Sequence, residues 1–169
     1  MLSNYDLEKL CRIYKIQLNG VFAKDELEDV EPRDGNYIIN LQSSRDGCGS
    51  HWEALILRGP EAFTFDSFAA LPPTEISNFA RESKTVKHLA YNRTVIQHLK
   101  SDSCGWYVLG LLLYIKEQHP TEPLTVAANK YINLFGADLK ANETILSALF
   151  QGLPKSQLLT KFLKRKPIG

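Results

Sequence analysis

The stretch "SDSCGWYVLGLLLYIK", residues 101–116, decides how the rest of the chain is read. From Trp106 to Ile115 it is apolar almost without a break. That run is too short to cross a bilayer, which needs roughly 20 residues. It is therefore expected to be a core helix running to about Gln118, apolar on nearly every side and sheathed by protein. Ser101 or Ser103 is the expected N-cap. Cys104 then sits at the mouth of the helix, where unpaired N–H groups and the positive end of the helix dipole stabilise negative charge on its sulfur.

Working outward, the segments on either side have the periodicities of a sheet and its covering helices. "SNYDLEKLCRIY" puts Leu7, Leu10, Cys11 and Tyr14 on one helical face behind a Ser3 or Asn4 cap. "NYIINLQ" is a strand rich in β-branched residues, followed by the turn-forming "SSRDGCGS". "HWEALILR" and "AFTFDSF", joined by "GPE", have the pattern of a hairpin. "PPTEISNFARES" carries Ile76, Phe79 and Ala80 at helical spacing, and "VKHLAYNRTVIQ" has the character of another strand. Two further helices are expected in "TVAANKYINLFG" and "NETILSALFQG". The sum is an α+β fold, a mostly antiparallel sheet packed against a central buried helix that carries Cys104 at its N-terminus.

The 169 residues, 44% of them hydrophobic, suit one domain spanning 1–169. A net charge of +1 excludes a wholesale basic or acidic surface. The charge is nonetheless uneven: Phe22 to Gly35 holds six acidic and two basic residues, whereas the tail 151–169 holds five basic and none acidic. Cys11, Cys48 and Cys104 have no metal-type spacing, which points to a reducing compartment. The first residues lack the pattern of a signal peptide, so neither secretion nor a membrane is expected.

A cysteine nucleophile needs a base, and the base needs an orienting group. His51 and Asp66 lie on or beside the two hairpin strands, which are about 4.8 Å apart, and can hydrogen-bond if they share a face and rung. The amides of Cys104 and Gly105 are available for a developing oxyanion, Gly105 allows close approach of substrate, and Gln97, read at a strand end, adds a side-chain amide. Taken singly, each of these residues has an ordinary structural role. His88, His98 and His119 lack such a setting and are expected at the surface.

The order of the set carries more. "HW" at 51–52, a following strand with an acidic residue, a glutamine, and "CG" at 104–105 opening an apolar helix together resemble the adenain-like and SUMO-protease-like cysteine peptidases. The resemblance spans about residues 36–116. It implies a papain-like active site met in permuted order: His51 the general base, Asp66 its orienting acid, Gln97 an oxyanion donor and Cys104 the nucleophile. It further implies that Trp52 narrows the substrate channel, with Gly47 and Gly49 lining the approach; a core aromatic on a strand is an equal reading of Trp52.

The short chain is most similar to maturation proteases of virophages and Polinton-type elements. By that likeness it is an endopeptidase that cleaves capsid protein precursors in the virion, or in the host cytoplasm or virus factory. No metal or required cofactor is implied; nucleic acid or an activating peptide is the accessory factor to test. Asp66 stands where the adenovirus enzyme has glutamate and the SUMO proteases have aspartate, so this position does not favour the viral branch. The alternatives are a deconjugating peptidase for a ubiquitin-like modifier and a non-catalytic binding module of the same fold. The tail, with Lys155, Lys161, Lys164, Arg165 and Lys166, is read either as a docked terminal helix with a solvated basic face or as a contact with packaged DNA.

Overall fold

In the computed structural model, which describes residues 1–47 and 50–169, the chain forms a five-stranded sheet between two unequal layers of helix. Helix α1 (Asn4–Ile13) starts at a capping box: the Ser3 hydroxyl accepts from the Asp6 amide and the Asp6 carboxylate accepts from the Ser3 amide. Strand β1 (Gly20–Ala23) leads through a 3₁₀ turn (Lys24–Asp29) to β2 (Gly35–Asn40), β3 (Trp52–Arg58) and β4 (Glu61–Phe65). Helix α2 (Thr74–Glu82) and strand β5 (His88–Tyr91) precede the central helix α3 (Cys104–Gln118). Helices α4 (Leu124–Ile132), α5 (Leu139–Leu149) and α6 (Gln157–Leu163) complete the chain.

The strands lie in sequence order, antiparallel through β2–β3–β4 and parallel at both edges, β1 on β2 and β4 on β5. The expected hairpin is there, closed by Gly59 and Pro60 with Arg58 paired to Glu61. Gly59 has φ +55°, a conformation that glycine adopts without steric cost. One sheet face sends Ile38, Trp52, Ala54, Ile56, Phe63 and Phe65 into the core around α3. The opposite face packs Tyr37, Ile39, Leu55, Leu57 and Ala62 against Ile76, Phe79 and Ala80 of α2. Burial on both faces explains why "ALIL" in β3 is a continuous apolar run rather than an alternating one.

Helix α3 is sheathed as its composition demands, with the sheet on one side and α1, α4 and α5 on others. Helix α6 completes the cover where Phe162 stacks on Trp106, ring centroids 4.3 Å apart. Among the described residues no helix is long and apolar enough to cross a membrane.

Two expectations are corrected. The strand expected through "VKHLAYNRTVIQ" ends at Tyr91, so Gln97 lies in a loop and not at a strand end. Polar residues from Asn92 onward take the chain off the sheet; the Ile96 and Gln97 amides both donate to the Ser67 carbonyl, and Asn142 and Tyr107 donate to the Ile96 carbonyl. Ser103 does occupy the N-cap position of α3, but its hydroxyl makes no capping bond and donates to Glu143 of α5 at 2.8 Å. The short strand β1 had no expectation attached to it.

The seam between α3 and α4 depends on a missing side chain. A Cβ on Gly110 would lie 2.6 Å from the Tyr131 hydroxyl, which is buried and donates to the Tyr107 carbonyl. The rigid ring has nowhere to go. Gly110→Ala is expected to lower stability by roughly 1–3 kcal/mol through overpacking, read as a lower thermal midpoint, despite alanine's better helix propensity.

Candidate active site

The open end of the β3–β4 hairpin gathers the polar residues. His51 immediately precedes β3 and Asp66 immediately follows β4. The His51 Nε2 lies 2.8 Å from Asp66 Oδ1, an oxygen that also accepts from the Phe68 amide at 2.7 Å. The Phe68 ring stacks on the imidazole with centroids 4.9 Å apart. The two side chains share a face but not a rung. Extending the register from Ala54 opposite Phe65 puts Glu53 opposite Asp66, and His51 on the diagonal.

Nδ1 is the ring nitrogen of His51 that Asp66 leaves unengaged, and Cys104 acts on the imidazole as a side-chain partner and through its charge. Burial alone would push the His51 pKa down. Hydrogen bonds to Asp66 and Cys104, with the attraction of their charges, override burial and raise it to about 9. The imidazole is thus a strengthened base that holds its proton through neutral pH.

Cys104 is the first residue of α3 and is 2% exposed. The other described cysteine, Cys11, is buried within α1, and burial together with nearby Glu8 pushes its thiol up to about 12, which makes it inert. Among the described residues none accepts from the Cys104 or Gly105 amides, while those of Trp106 and Tyr107 are bonded to the Ser103 carbonyl. Gln97, 1% exposed, is held at both ends of its amide: Oε1 accepts from the Ser67 hydroxyl and Nε2 donates to the Ser101 carbonyl at 2.8 Å. One Nε2–H remains for another acceptor. No group of three histidine, cysteine or acidic residues among the described ones is placed to hold a metal.

The remaining site expectations fare differently. Trp52 is a core aromatic, 1% exposed, whose indole N–H donates to the Leu2 carbonyl at 2.9 Å, the structural one of its two readings. Gly105 turns its α-carbon toward Leu2 and Leu7, so its missing side chain admits α1 and the segment before it, not a substrate. Gly47 is exposed in the loop leading to His51, with φ +143°. Gly49 and Cys48 lie outside the described residues.

Three contributors escaped the sequence reading. Asn92 clamps the backbone of Asp66, its Oδ1 accepting from the Asp66 amide at 2.9 Å and its Nδ2 donating to the Asp66 carbonyl at 2.6 Å. Ser67 ties the same corner to Gln97. Phe68 follows Asp66 by two residues, and that period-2 spacing was the available signal that it faces His51. For Asn92, in an irregular loop, no local signal existed.

With this geometry in hand, comparison with known proteins is informative at the level of structure. No family model matches the sequence, and no curated protein does. A crystal structure of ASFV pS273R protease superposes with a TM-score of 0.54 at 14% identity, covering 90% of this chain and 66% of that one. A selenomethionine crystal structure of the same protease gives 0.52 at 16% identity, covering 92% and 69%. The chain has the fold of this viral protease. It spans about two thirds of the protease's length. AvrA, solved with IP6 and CoA, is a weaker likeness at a TM-score of 0.47.

The cause assigned to the His51 shift is testable without a substrate. Asp66→Asn should move the histidine's titration from about 9 toward its ordinary 6.5, because the hydrogen bond and the charge of Asp66 both raise it. The raised pKa contributes stability that is complete below about 6.5 and lost as pH rises through about 9. Ring nitrogen chemical shifts followed against pH check the first point, and thermal midpoints across the same window check the second.

Proposed function

We propose that the protein is a cysteine endopeptidase whose nucleophile is Cys104 and whose general base is His51. The observation that carries this reading is the single imidazole that bonds Asp66 through Nε2 at 2.8 Å and is also acted on by Cys104, on the fold of a viral protease. In this reading Cys104 has already passed its proton to His51, and the resulting thiolate attacks the scissile carbonyl carbon beside the imidazolium. The oxyanion is received by the Cys104 and Gly105 amides and the remaining Gln97 Nε2–H. His51 returns the proton to the leaving amine, and water activated by the same imidazole cleaves the acyl-enzyme.

The substrates that fit best are capsid protein precursors of a virus-like particle, because a protein that shares this fold is a viral protease. A deconjugating peptidase would use the same chemistry on a different tail. Incubation with capsid precursors and with ubiquitin-like fusions, followed by mass spectrometry of new termini, separates the two. Cys104→Ala should abolish cleavage and leave the thermal midpoint nearly unchanged. Asp66→Asn should slow turnover less than His51→Ala, since fixed packing partly replaces an orienting group and nothing replaces the base. Gln97→Ala should cost roughly a hundredfold in rate; its thermal midpoint must be followed too, because the amide also holds the loop. Full activity in Cys104→Ala would overturn the assignment.

The basic tail bears on nucleic acid as an accessory factor. Helix α6 is docked, with Leu159 and Phe162 buried, and Arg165 is committed to Asp102 at 2.7 Å. Lys155, Lys161, Lys164 and Lys166 are exposed and form the charged face in this proposal. Deleting the tail would uncover Trp106, so the clean test is to replace these four lysines with glutamine. Affinity for duplex DNA should fall and its log–log salt slope should flatten by about 0.9 per lost phosphate contact. An unchanged slope leaves α6 as a structural helix.

A further inference from the structure

Glu53 sits where a charge has no evident business, at the second position of a strand buried on both faces. It is 1% exposed, and neither of its carboxylate oxygens has a hydrogen-bond partner. The β3–β4 register, extended by one pair, sets it directly opposite Asp66, whose own Oδ2 is likewise buried and unpartnered. Cβ atoms of such opposed residues are about 4.5–5.5 Å apart, within reach of a rotating glutamate side chain. On its other side Glu53 is paired with Ile39 of β2, and the 3₁₀ turn and α2 bring Leu27, Ile76 and Phe79 to that face. The titratable groups that act on it are Asp66 and His51.

We propose that Glu53 is a positioning residue for the His51–Asp66 pair: a proton-bearing carboxyl that donates to the free Oδ2 of Asp66 while Oδ1 holds the imidazole. Two adjacent buried carboxyls do not both stay ionised. Asp66 has the His51 ring and the Phe68 amide to stabilise its charge, whereas Glu53 has neither, so the proton resides on Glu53. Burial first, and the negative Asp66 second, push the Glu53 pKa up from its ordinary 4.5 to about 8, partly opposed by His51. A neutral Glu53 satisfies the last lone pairs of Asp66 and fixes its plane, and hence the plane of the imidazole. The role in turnover rests on the peptidase reading above, but the arrangement does not.

The test compares Glu53→Gln, which keeps an N–H donor, with Glu53→Met, which keeps the bulk and removes the donor. Both should be more stable than the wild type, by a margin that grows from pH 4.5 to 8 and then levels, because the wild type loses the benefit of its raised pKa across that window. On a cleaved peptide, Glu53→Gln should stay within about threefold of wild-type kcat, and Glu53→Met should fall by at least about tenfold with KM unchanged, the size of one hydrogen bond to a charged group. A purely structural glutamate predicts equal rates for the two variants, and that result overturns the proposal.

A second readout needs no activity. In a Cys104→Ala background, the His51 ring nitrogen shifts should show an inflection near pH 8 from the neighbouring Glu53 that Glu53→Gln lacks. Identical curves overturn the proposal. Failure of every candidate substrate would count against the peptidase reading and leave this measurement standing.

Discussion

Helix α3 has no face that tolerates water, and the other elements are arranged to cover it. Of its residues, Cys104 to Leu113 are buried without interruption, as is Ile115. A helix of this kind has only its ends as polar contact points, because the side chains along its length are committed to packing. Each large apolar side chain so buried is worth roughly 1.5–3 kcal/mol, and the N-terminus inherits that rigidity. The sulfur of Cys104 is therefore held by the core. Strand β3 packs directly on α3, and His51 lies one residue before that strand. Cys104 and His51 are thus mounted on two elements that touch, which keeps their separation fixed without any loop having to close.

The cost of this arrangement is a set of buried polar groups. Asp66 sits within the protein at 1% exposure, and its backbone and one carboxylate oxygen are saturated by Asn92, Phe68 and His51. An ionised carboxylate survives burial only with such partners. Glu53, without them, is the local rule broken at the site, and such violations concentrate where function demands them. The loop from Asn92 to Ser103 is irregular, yet its carbonyls and amides are engaged by Ser67, Tyr107, Asn142 and Gln97. The irregular backbone around Gln97 is fixed because it bonds the Ser67 carbonyl and the Tyr107 and Asn142 side chains.

Much of this was legible in the sequence, and for identifiable reasons. The apolar run after Cys104, the Gly59-Pro60 turn and the helical spacing of Ile76, Phe79 and Ala80 are local signals that the fold obeys. The meeting of His51 and Asp66 was legible from strand spacing alone, although the diagonal placement was not. Register beyond the hairpin depends on how many residues flank the turn, and the two-residue difference between sharing a rung and lying diagonally is what brings Glu53 opposite Asp66. Its signal was present as a lone acid inside "HWEALILR". The contacts of Trp52 and Gly105 were not legible because their partner, Leu2, comes from about fifty and one hundred residues away in sequence, a distance over which no pattern speaks. The ending of β5 at Tyr91 was hidden because "NRTVIQ" has strand propensity, and tertiary hydrogen bonds from Ser67 and Asn142 outweigh it.

The behaviour of Ser103 shows how the helix mouth is kept available. A serine at the N-cap ordinarily accepts from the amide two or three residues on, here Gly105 or Trp106. The Trp106 amide is already bonded to the Ser103 carbonyl at 2.9 Å, so a capping hydroxyl would take the Gly105 amide. That amide is one of the two assigned to the oxyanion in the proposed mechanism. Instead the Ser103 hydroxyl turns outward, donating to Glu143 and accepting from Arg165 at 3.1 Å, and Tyr107 donates to the other oxygen of the same glutamate. Glu143 on α5 thus holds the cap residue away from its usual partner. The helix forgoes the ~1 kcal/mol of a side-chain cap, and its Cys104 and Gly105 amides are accepted by no group among the described residues. In a helix anchored so thoroughly by its apolar body, that loss is small against the burial that holds it in place.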